Sequence, residues 1–444
     1  MSFPRYPKYK KSGVEWLSEV PATWQVMPCR AIVTNVQDTN EGAADQNYLS
    51  LMANVGIIPY EDKGDIGNKK PDDLTKCKVV KKGNLVINSM NYSIGSYGMS
   101  EYDGVCSPVY VVLAINPATL LPRFALRIFE NQIFQKYIAS FGNGILAHRA
   151  AIGWQDIKGV GVAIPPKDAQ QTILTFLDLE TARMDALVAE QQRLVELLIE
   201  KRQTVISHTL TKGLNPDAPT KPSGVDWLGD VPAHWEVFRV KQLAEKISKG
   251  TTPTTIGAEF TSSGVRFIKA ENIGDGKVVR EPEFYVSEHT HSVMKRSALQ
   301  DGDVLVVIAG ATTGKSAVLP ASLLPANTNQ AVSFIRPKER RMSTYISLWL
   351  GTGPVRSLVS RNAVQSAQPN LSMEDLGNIP VPVPPVQEIM DILAFLDRET
   401  SKLEGLIDAS KQAINLLQER GTAVISAAVM GKIDVRRLVD AETA

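Results

Sequence analysis

Cysteine is scarce in this chain: three residues in 444, Cys29, Cys77 and Cys106, odd in number and far apart in sequence. That count argues against a disulfide framework or a cysteine metal cluster and fits a reducing compartment. Long apolar runs are missing too. No stretch approaches the roughly 20 residues that cross a bilayer, and the opening MSFPRYPKYKKSG lacks the apolar core of a signal peptide. A soluble, cytoplasmic protein is the expectation. Nor is there an excess of charge: Lys+Arg total 48 against 47 Asp+Glu, a formal net charge of +1. A chain this neutral is not built to hold a polyanion alone. To read a nucleic acid it needs local basic patches or a partner that supplies phosphate contacts.

Signatures of catalysis are missing as well. The stretch AGATTGKS (309–316) falls short of a phosphate loop, because G-x-x-x-x-G-K-[ST] needs glycine where Ala309 stands and Gly310 is one place too close. Asn116-Pro117 is followed by Ala118, so the Asn/Asp-Pro-Pro-aromatic loop that holds a flipped base is absent. His289 and His291 sit in a polar stretch without cysteine neighbours and read as solvated side chains rather than metal ligands. Acidic metal-binding clusters of a nuclease or motor are not found. The sequence therefore assigns no catalytic residue, no metal and no cofactor of its own. What remains, at 43% hydrophobic and 21% charged residues, is an ordinary globular composition of a length that suggests two or three domains.

What is present is a chain written twice. Residues 12–26 read SGVEWLSEVPATWQV and residues 223–237 read SGVDWLGDVPAHWEV, identical at ten of fifteen positions. A second pair, IPPKDAQQTILTFLDLETA (164–182) and VPPVQEIMDILAFLDRETS (383–401), continues in register as far as VIS at 205–207 and 424–426. Between the matched ends the halves look unrelated. The period is too long for a solenoid, whose repeats run about 20–50 residues. A shared frame holding two different variable regions is the simpler plan.

The long repeats read as helices. Pro165-Pro166 and Pro384-Pro385 suit first turns, and the first segment runs to Lys212-Gly213 without an internal Gly or Pro. Apolar residues recur at Ile173, Leu177, Met184, Leu187, Leu194, Leu198 and Val205, and again at Ile392, Leu396, Leu403, Leu406, Leu417 and Val424. Spacings of three and four predict amphipathic helices, and about 45 residues make a rod of roughly 65 Å. Each stripe needs a partner, and a two-fold relation would pair the rods antiparallel. Gln191 and Ser410 interrupt the stripe and could set register, while Gly405 and Gly421 weaken the second helix. The same two-fold places residues 1–26 beside the end of the second helix near Val429.

The variable regions alternate short apolar runs with turn residues. NLVINSM (84–90), SPVYVVLAI (107–115), DVLVVIAG (303–310) and AVSFIRP (331–337) predict strands; 124–138 and 344–350 predict helices. The fold class expected is α+β, with two pseudo-two-fold related mixed α/β domains joined by two long antiparallel coiled-coil helices. The segments are 1–26 and 27–165, a first long helix over 166–213, a linker and second repeat over 214–237, then 238–384, a second long helix over 385–431, and a tail over 432–444. Asn, Gln, Arg and Lys read base edges, whereas Ser, Thr and Lys hold phosphates. On that basis the candidates in the first variable region are Asn88, Ser89, Asn91, Tyr92, Ser93, His148 and Arg149. In the second they are Lys249, Thr251, Thr252, Lys269, Asn272, Thr312, Thr313, Lys315, Arg361 and Gln365. A solvated loop or strand cap is the competing explanation for each. The second region is net basic by about four charges and the first nearly balanced, so electrostatics favour the second.

Taken together, the twofold SGVEWL/SGVDWL openings, the twofold PP…ILTFLD/PP…ILAFLD helix starts, SMNYSIGSYG (89–98) and SAQPNLS (366–372) resemble the specificity subunit of Type I restriction–modification systems. The resemblance covers essentially the whole chain. It implies two target-recognition domains, each reading one half of a split, asymmetric double-stranded DNA site, with the paired helices fixing the gap. It implies two methyltransferase subunits as partners, which carry S-adenosylmethionine for adenine methylation, and motor-nuclease restriction subunits. Two departures stand out. Glu388-Ile389-Met390 replaces the usual glutamate–glutamine helix start. The change of repeat offset from 211 to 219 makes the second domain longer by eight residues at an unassigned place. Two other readings stay open: a scaffold or decoy that binds the methyltransferase without reading DNA, and a self-sufficient DNA-modifying enzyme with degenerate motifs.

Overall fold

The structure is a computed structural model that describes residues 3–66, 69–141, 152–363, 370–436 and 438. The chain forms two compact units, Met1–Gln192 with Gln412–Ala444, and Arg193–Lys411. The division cuts both long helices in mid-length instead of setting them apart as separate segments. The physical reason is that each half-helix packs on the globule next to it.

In the first unit a hairpin, Tyr9–Lys11 with Glu19–Pro21, leads to the strand Gln25–Pro28, which pairs antiparallel with Gly161–Ile164. Between them lies a four-stranded antiparallel sheet in the order Val33–Val36, Tyr110–Ile115, Leu85–Asn88, Tyr97–Met99. Leu85, Ile87, Val111 and Leu113 point into the main core, while Val86, Tyr110 and Val112 point into a second cluster with Leu49, Leu51, Ile57 and Val80. Both faces are covered, so these strands read as continuous apolar runs without polar alternation. The helical stretch expected over 124–138 is two helices, Pro122–Phe129 and Gln132–Ala139. The break falls where Asn131 turns its Oδ1 to accept from the Ile133 and Phe134 backbone N–H groups, capping the second helix.

The second unit repeats this plan with a different sequence. Its hairpin is Thr220–Pro222 with Asp230–Pro232, its strand pair Glu236–Arg239 with Pro380–Val383. Its four-stranded sheet runs Ala244–Lys249, Val332–Pro337, Val304–Val307, Ser316–Val318, again antiparallel throughout. Val304, Val306 and Ile335 face the main core; Leu305, Val307, Val332 and Phe334 face a second cluster. Helices Met342–Leu350 and Gly353–Ala363 occupy the place of the first unit's pair. One further difference from expectation concerns His289 and His291. They lie on a short helix, Glu288–Val293, capped by Ser287, and His291 is half-buried with its Nδ1 on Asn327 Oδ1.

Equivalent strands are offset by 211 at the frame (25 against 236) and by 219 at the third strand of the sheet (85 against 304). The eight residues therefore lie between the sheet's first and third strands, in the part that carries Val265–Ile268.

The long helices are Lys167–Lys212 and Val386–Val429, the second unbroken through Gly405 and Gly421. In the first unit Ile173, Leu174 and Leu177 share a core with Val424, Ala428 and Val429, and a Cβ at Gly421 would lie 3.6 Å from Met184 Sδ. Rising number on one helix meets falling number on the other, so the segments run antiparallel. In the second unit Leu198 packs on Leu403 and Ile407, Arg202 pairs with Glu404 at 3.1 Å, and Ile206 joins Ile389, Ile392 and Leu396, again antiparallel. Gly421 costs helix propensity, and the close approach to Met184 offsets it.

The N-terminal segment lies beside the end of the second long helix, as the two-fold required. That helix stops at Gly431, with φ +71°, against Pro21 and Trp24. Tyr9 donates its hydroxyl to the Gly431 carbonyl at 3.1 Å, and Asp434 N–H donates to the Pro4 carbonyl at 2.7 Å. In the second unit the first long helix ends in the same manner at Gly213, with φ +77°, against Trp235. The second tryptophan of each short repeat is thus the floor under a helix's left-handed stop.

Candidate nucleic-acid interface

Asn88, Ser89, Asn91, Tyr92 and Ser93 of the first variable region and Thr312, Thr313 and Lys315 of the second fall at one feature, the connection between the last two strands of each four-stranded sheet. In the first unit Asn88 N–H donates to the Ser96 carbonyl at 3.0 Å, enclosing the seven residues 89–95, SMNYSIG. In the second, Val307 N–H donates to the Lys315 carbonyl at 2.9 Å, enclosing 308–314, IAGATTG. Both loops end on a left-handed glycine, Gly95 with φ +89° and Gly314 with φ +91°. Both are stitched at their first residue to the chain returning from the helix pair: Ile152 N–H to the Ser89 carbonyl at 3.0 Å, Leu371 N–H to the Ile308 carbonyl at 2.8 Å. Two stretches with no residue pattern in common are one loop, held by the same hydrogen bonds. The second stretch leads into a strand and no helix follows it, so it lacks the helix N-terminus that a phosphate loop uses.

Around the first loop Asn88 is buried and its Oδ1 accepts from Met90 N–H at 3.1 Å, while Ser89 Oγ donates to the Val109 carbonyl at 3.0 Å. Asn91 is exposed, its backbone closing the turn by accepting from Ser96 N–H. Ser93 lies in the helical turn Tyr92–Ile94. Tyr92 is a correction: its ring is 1% exposed and its hydroxyl donates to the Phe129 carbonyl. Burial pushes the phenol well above its ordinary range, so it remains a neutral donor that pins the loop to the core and reaches no ligand. His148 and Arg149 lie outside the described residues.

In the second unit the sheet register brings one row of residues to the same end. Lys249 pairs with Ser333, Ser333 with Val306, and Val306 with Ser316. Thr251 N–H donates to the Thr328 carbonyl, and Thr328 Oγ1 donates to the Ile268 carbonyl beside Lys269, which draws these segments to the same edge. Thr313 closes the turn by donating Oγ1 to the Gly310 carbonyl at 2.7 Å. Gly314 abuts Val359, two residues before the exposed Arg361. Thr252 and Thr312 are half-exposed, as is Lys315, and Lys249 is exposed. Among the described residues no carboxylate lies within ion-pairing distance of Lys249, Lys315 or Arg361, so their charge is unspent.

Two candidates of this unit are structural. Asn272 is fully buried: its Oδ1 accepts from Lys269 N–H and its Nδ2 donates to the Val279 and Pro282 carbonyls, leaving nothing for a base. Lys269 holds its ammonium 3.4 Å from the Phe284 ring centroid and 4.5 Å from that of Phe260, a cation–π clamp that restrains it at the edge of the site. Gln365 lies outside the described residues. Gln330 and Asn370, absent from the sequence-based candidates, are both exposed, and Asn370 is bridged to Ala309 of the loop. The polar run Asn327–Gln330 just before an apolar strand was the available signal.

Among the described residues no helix is long and apolar enough to cross a membrane. Residues 232–414 match the family model of the Type I restriction modification DNA specificity domain. In sequence the chain is 23% identical to the Type I restriction enzyme MjaVIII specificity subunit of Methanocaldococcus jannaschii, over 63% of this chain and 64% of that protein. It is 24% identical to the Type I restriction enzyme EcoBI specificity subunit of Escherichia coli, over 57% and 53%. Each of these two matches thus spans less than two thirds of the relative. A second M. jannaschii chain, carrying the MjaX specificity-subunit name, is 21% identical over 98% of this chain and 99% of its own. Among solved structures, a chain from work on complex assembly and conformational transition of the type I R-M system superposes with a TM-score of 0.67, at 16% identity, covering 92% of this chain and 98% of that one. The HsdS subunit from Thermoanaerobacter tengcongensis does so with a TM-score of 0.50, at 17% identity, covering 93% and 98%. The resemblance carried by the duplicated motifs therefore holds in sequence and in fold: residues 232–414 match the Type I DNA specificity domain, and the chain as a whole is similar to Type I restriction enzyme specificity subunits.

Proposed function

We propose that this protein is the non-catalytic DNA sequence-recognition subunit of a Type I restriction–modification complex. Residues 27–165 and 238–384 act as its two target-recognition domains. The observation that carries this reading is the pair of seven-residue loops, equal in length and anchoring but unlike in displayed side chains. One frame presenting two chemistries is what a bipartite, asymmetric DNA site requires: the frame sets the pose and the loops choose the bases. In the second domain Lys249, Lys315 and Arg361 hold phosphates, with Thr251, Thr252, Thr312 and Thr313 close to base edges. In the first, Ser89, Asn91 and Ser93 take that place; His148, Arg149 and, in the second, Gln365 join them as candidates by residue type. The repeated frame docks two methyltransferase subunits, which bind S-adenosylmethionine, and restriction subunits join them. Partners that surround DNA also account for a net charge of only +1.

The test is base-resolution adenine-methylation sequencing of a methylation-free host that expresses the chain with its neighbouring methyltransferase, against a culture lacking the chain. A split motif that requires the chain is the expected result. Methylation without the chain, or without a defined motif, overturns the reading. Methyltransferase binding without any sequence preference would establish the scaffold alternative.

A further inference from the structure

The first loop displays a surface that hydrogen-bond readout does not explain. Met90 is 52% exposed, Ile94 53% and Val109 53%, on a segment whose backbone is fixed at every turn. Met90 N–H is held by Asn88 Oδ1, Ile94 N–H by the Asn91 carbonyl, and the Val109 carbonyl accepts from Ser89 Oγ. Val55, 68% exposed, follows Asn54, whose N–H donates to the Gly95 carbonyl at 2.9 Å. Four large apolar side chains therefore meet water around one rigid loop. At the equivalent places the second unit has Ala309, Thr313 and Ala331, small or polar residues set by the same strand register.

Resting on the function proposed above, we propose that Met90, Ile94 and Val109 determine specificity in the first half-site by packing against thymine C5-methyl groups. A phosphate backbone offers nothing to an apolar side chain. On the base edges of the major groove the thymine methyl is the apolar group presented, and it distinguishes T·A from C·G without a hydrogen bond. Met suits the task, because its unbranched, polarizable side chain fits an irregular surface. The two half-sites are then read by different physics: apolar contact in the first, hydrogen bonds and charge through Thr312, Thr313 and Lys315 in the second.

The experiment starts from random duplex DNA selected on the full chain assembled with its methyltransferase. Each thymine of the selected motif is then replaced by deoxyuridine, which keeps every hydrogen-bonding group and lacks only the methyl. The expected result is about a fourfold loss of affinity at one or more thymines, the worth of one buried methyl-sized group. The same replacement changes affinity less than twofold for Met90→Ala or Val109→Ala, exposed positions where truncation leaves the core intact. A motif that emerges with no thymine coupled to these side chains overturns the inference while leaving the proposed function standing. Failure to select any motif overturns both. Variants that keep full DNA affinity but lose a protein subunit identify the patch as a protein contact and also overturn it.

Discussion

A single methyl group at the end of the first loop tests whether the loop's backbone, and with it the frame, governs recognition. Gly95 has φ +89°, and a Cβ there would fall well inside van der Waals contact with Asn54 Oδ1 and 3.3 Å from Asn54 N. The left-handed conformation costs an alanine roughly 1–2 kcal/mol. Displacing Asn54, whose backbone N–H holds the Gly95 carbonyl, adds to that, so Gly95→Ala destabilises the first unit by about 2–3 kcal/mol in all. For a unit of this size that is a fall in melting temperature of about 5–10 °C. Gly83 supplies the control. It has φ +86° at the opposite end of the same strand, and nothing lies within 4 Å of its virtual Cβ. Gly83→Ala therefore pays the backbone strain alone and leaves the loop where it is. Urea or thermal unfolding measures the first quantity; methylation sequencing with the partner methyltransferase measures the second. Gly95→Ala relaxes the half-site read by residues 27–165 and leaves the other half intact, whereas Gly83→Ala relaxes neither. If the two variants are equally stable and methylate the same motif, the loop is not the reading element.

Three further outcomes follow from the geometry. Lys315→Ala weakens DNA binding and lowers the slope of log affinity against log salt by about 0.9, the share of one phosphate contact; an unchanged slope removes Lys315 from the interface. Arg336 grips Asp303 through two bonds of 2.9 and 2.8 Å, with the carboxylate 1% exposed. Arg336→Met strands that charge and costs about 3–5 kcal/mol in denaturant unfolding, and adding Asp303→Asn recovers part of the loss; no recovery refutes the pairing account. Burial pushes the Cys29 and Cys106 thiols up to about 12 from 9.0. A raised folded value means the contribution is complete below the unfolded pKa and is lost as pH rises towards the folded one. The unfolded thiols ionise from pH 9 upward while the folded ones do not, so alkali favours unfolding. A Cys29→Ala, Cys106→Ala double variant should lose about 2–3 kcal/mol less stability between pH 8 and 10 than the wild type; parallel pH profiles would contradict it.

Much of the architecture was legible in the sequence because it was written twice. The tryptophan-bearing segments, both long helices and four of the sheet strands were read from repeats and apolar runs, and all lie within a few residues of their observed bounds. The kinship of the two variable regions was not legible. Sheet positions buried on both faces accept any apolar residue of suitable size, so Val112 and Phe334 occupy equivalent interiors without resembling each other. The site was half legible. Ser89, Asn91, Thr312 and Thr313 do lie in the equivalent loops, because polar residues straight after an apolar strand mark an exposed turn; Asn88 and Lys315 lie at the loops' ends, Asn88 buried. Tyr92 and Asn272 misled for the opposite reason: a polar group can face inward when a carbonyl waits for it, and sequence does not reveal the carbonyl. The exposed apolar residues went unnoticed because Met90, Ile94 and Val109 look like core until their exposure is known.

The two loops also differ in how they are anchored while the frame stays fixed. The first is anchored from beneath, where the Tyr92 ring fills the core and its hydroxyl takes the Phe129 carbonyl. The second has Ala311 at that place and is anchored from the side, with Gly314 against Val359 and Thr313 closing its own turn. The shared hydrogen bonds run entirely through the backbone, so they place no demand on which side chains the loop displays. A loop fixed by its backbone can exchange Met90 for an alanine, or Ile94 for a threonine, at little cost to folding. Under the proposed function, the base it prefers then changes while the pose on DNA does not. Selection on the frame and selection on the loops then act on different atoms, which is why one half of this chain can repeat the other in its scaffold and differ from it in the residues displayed.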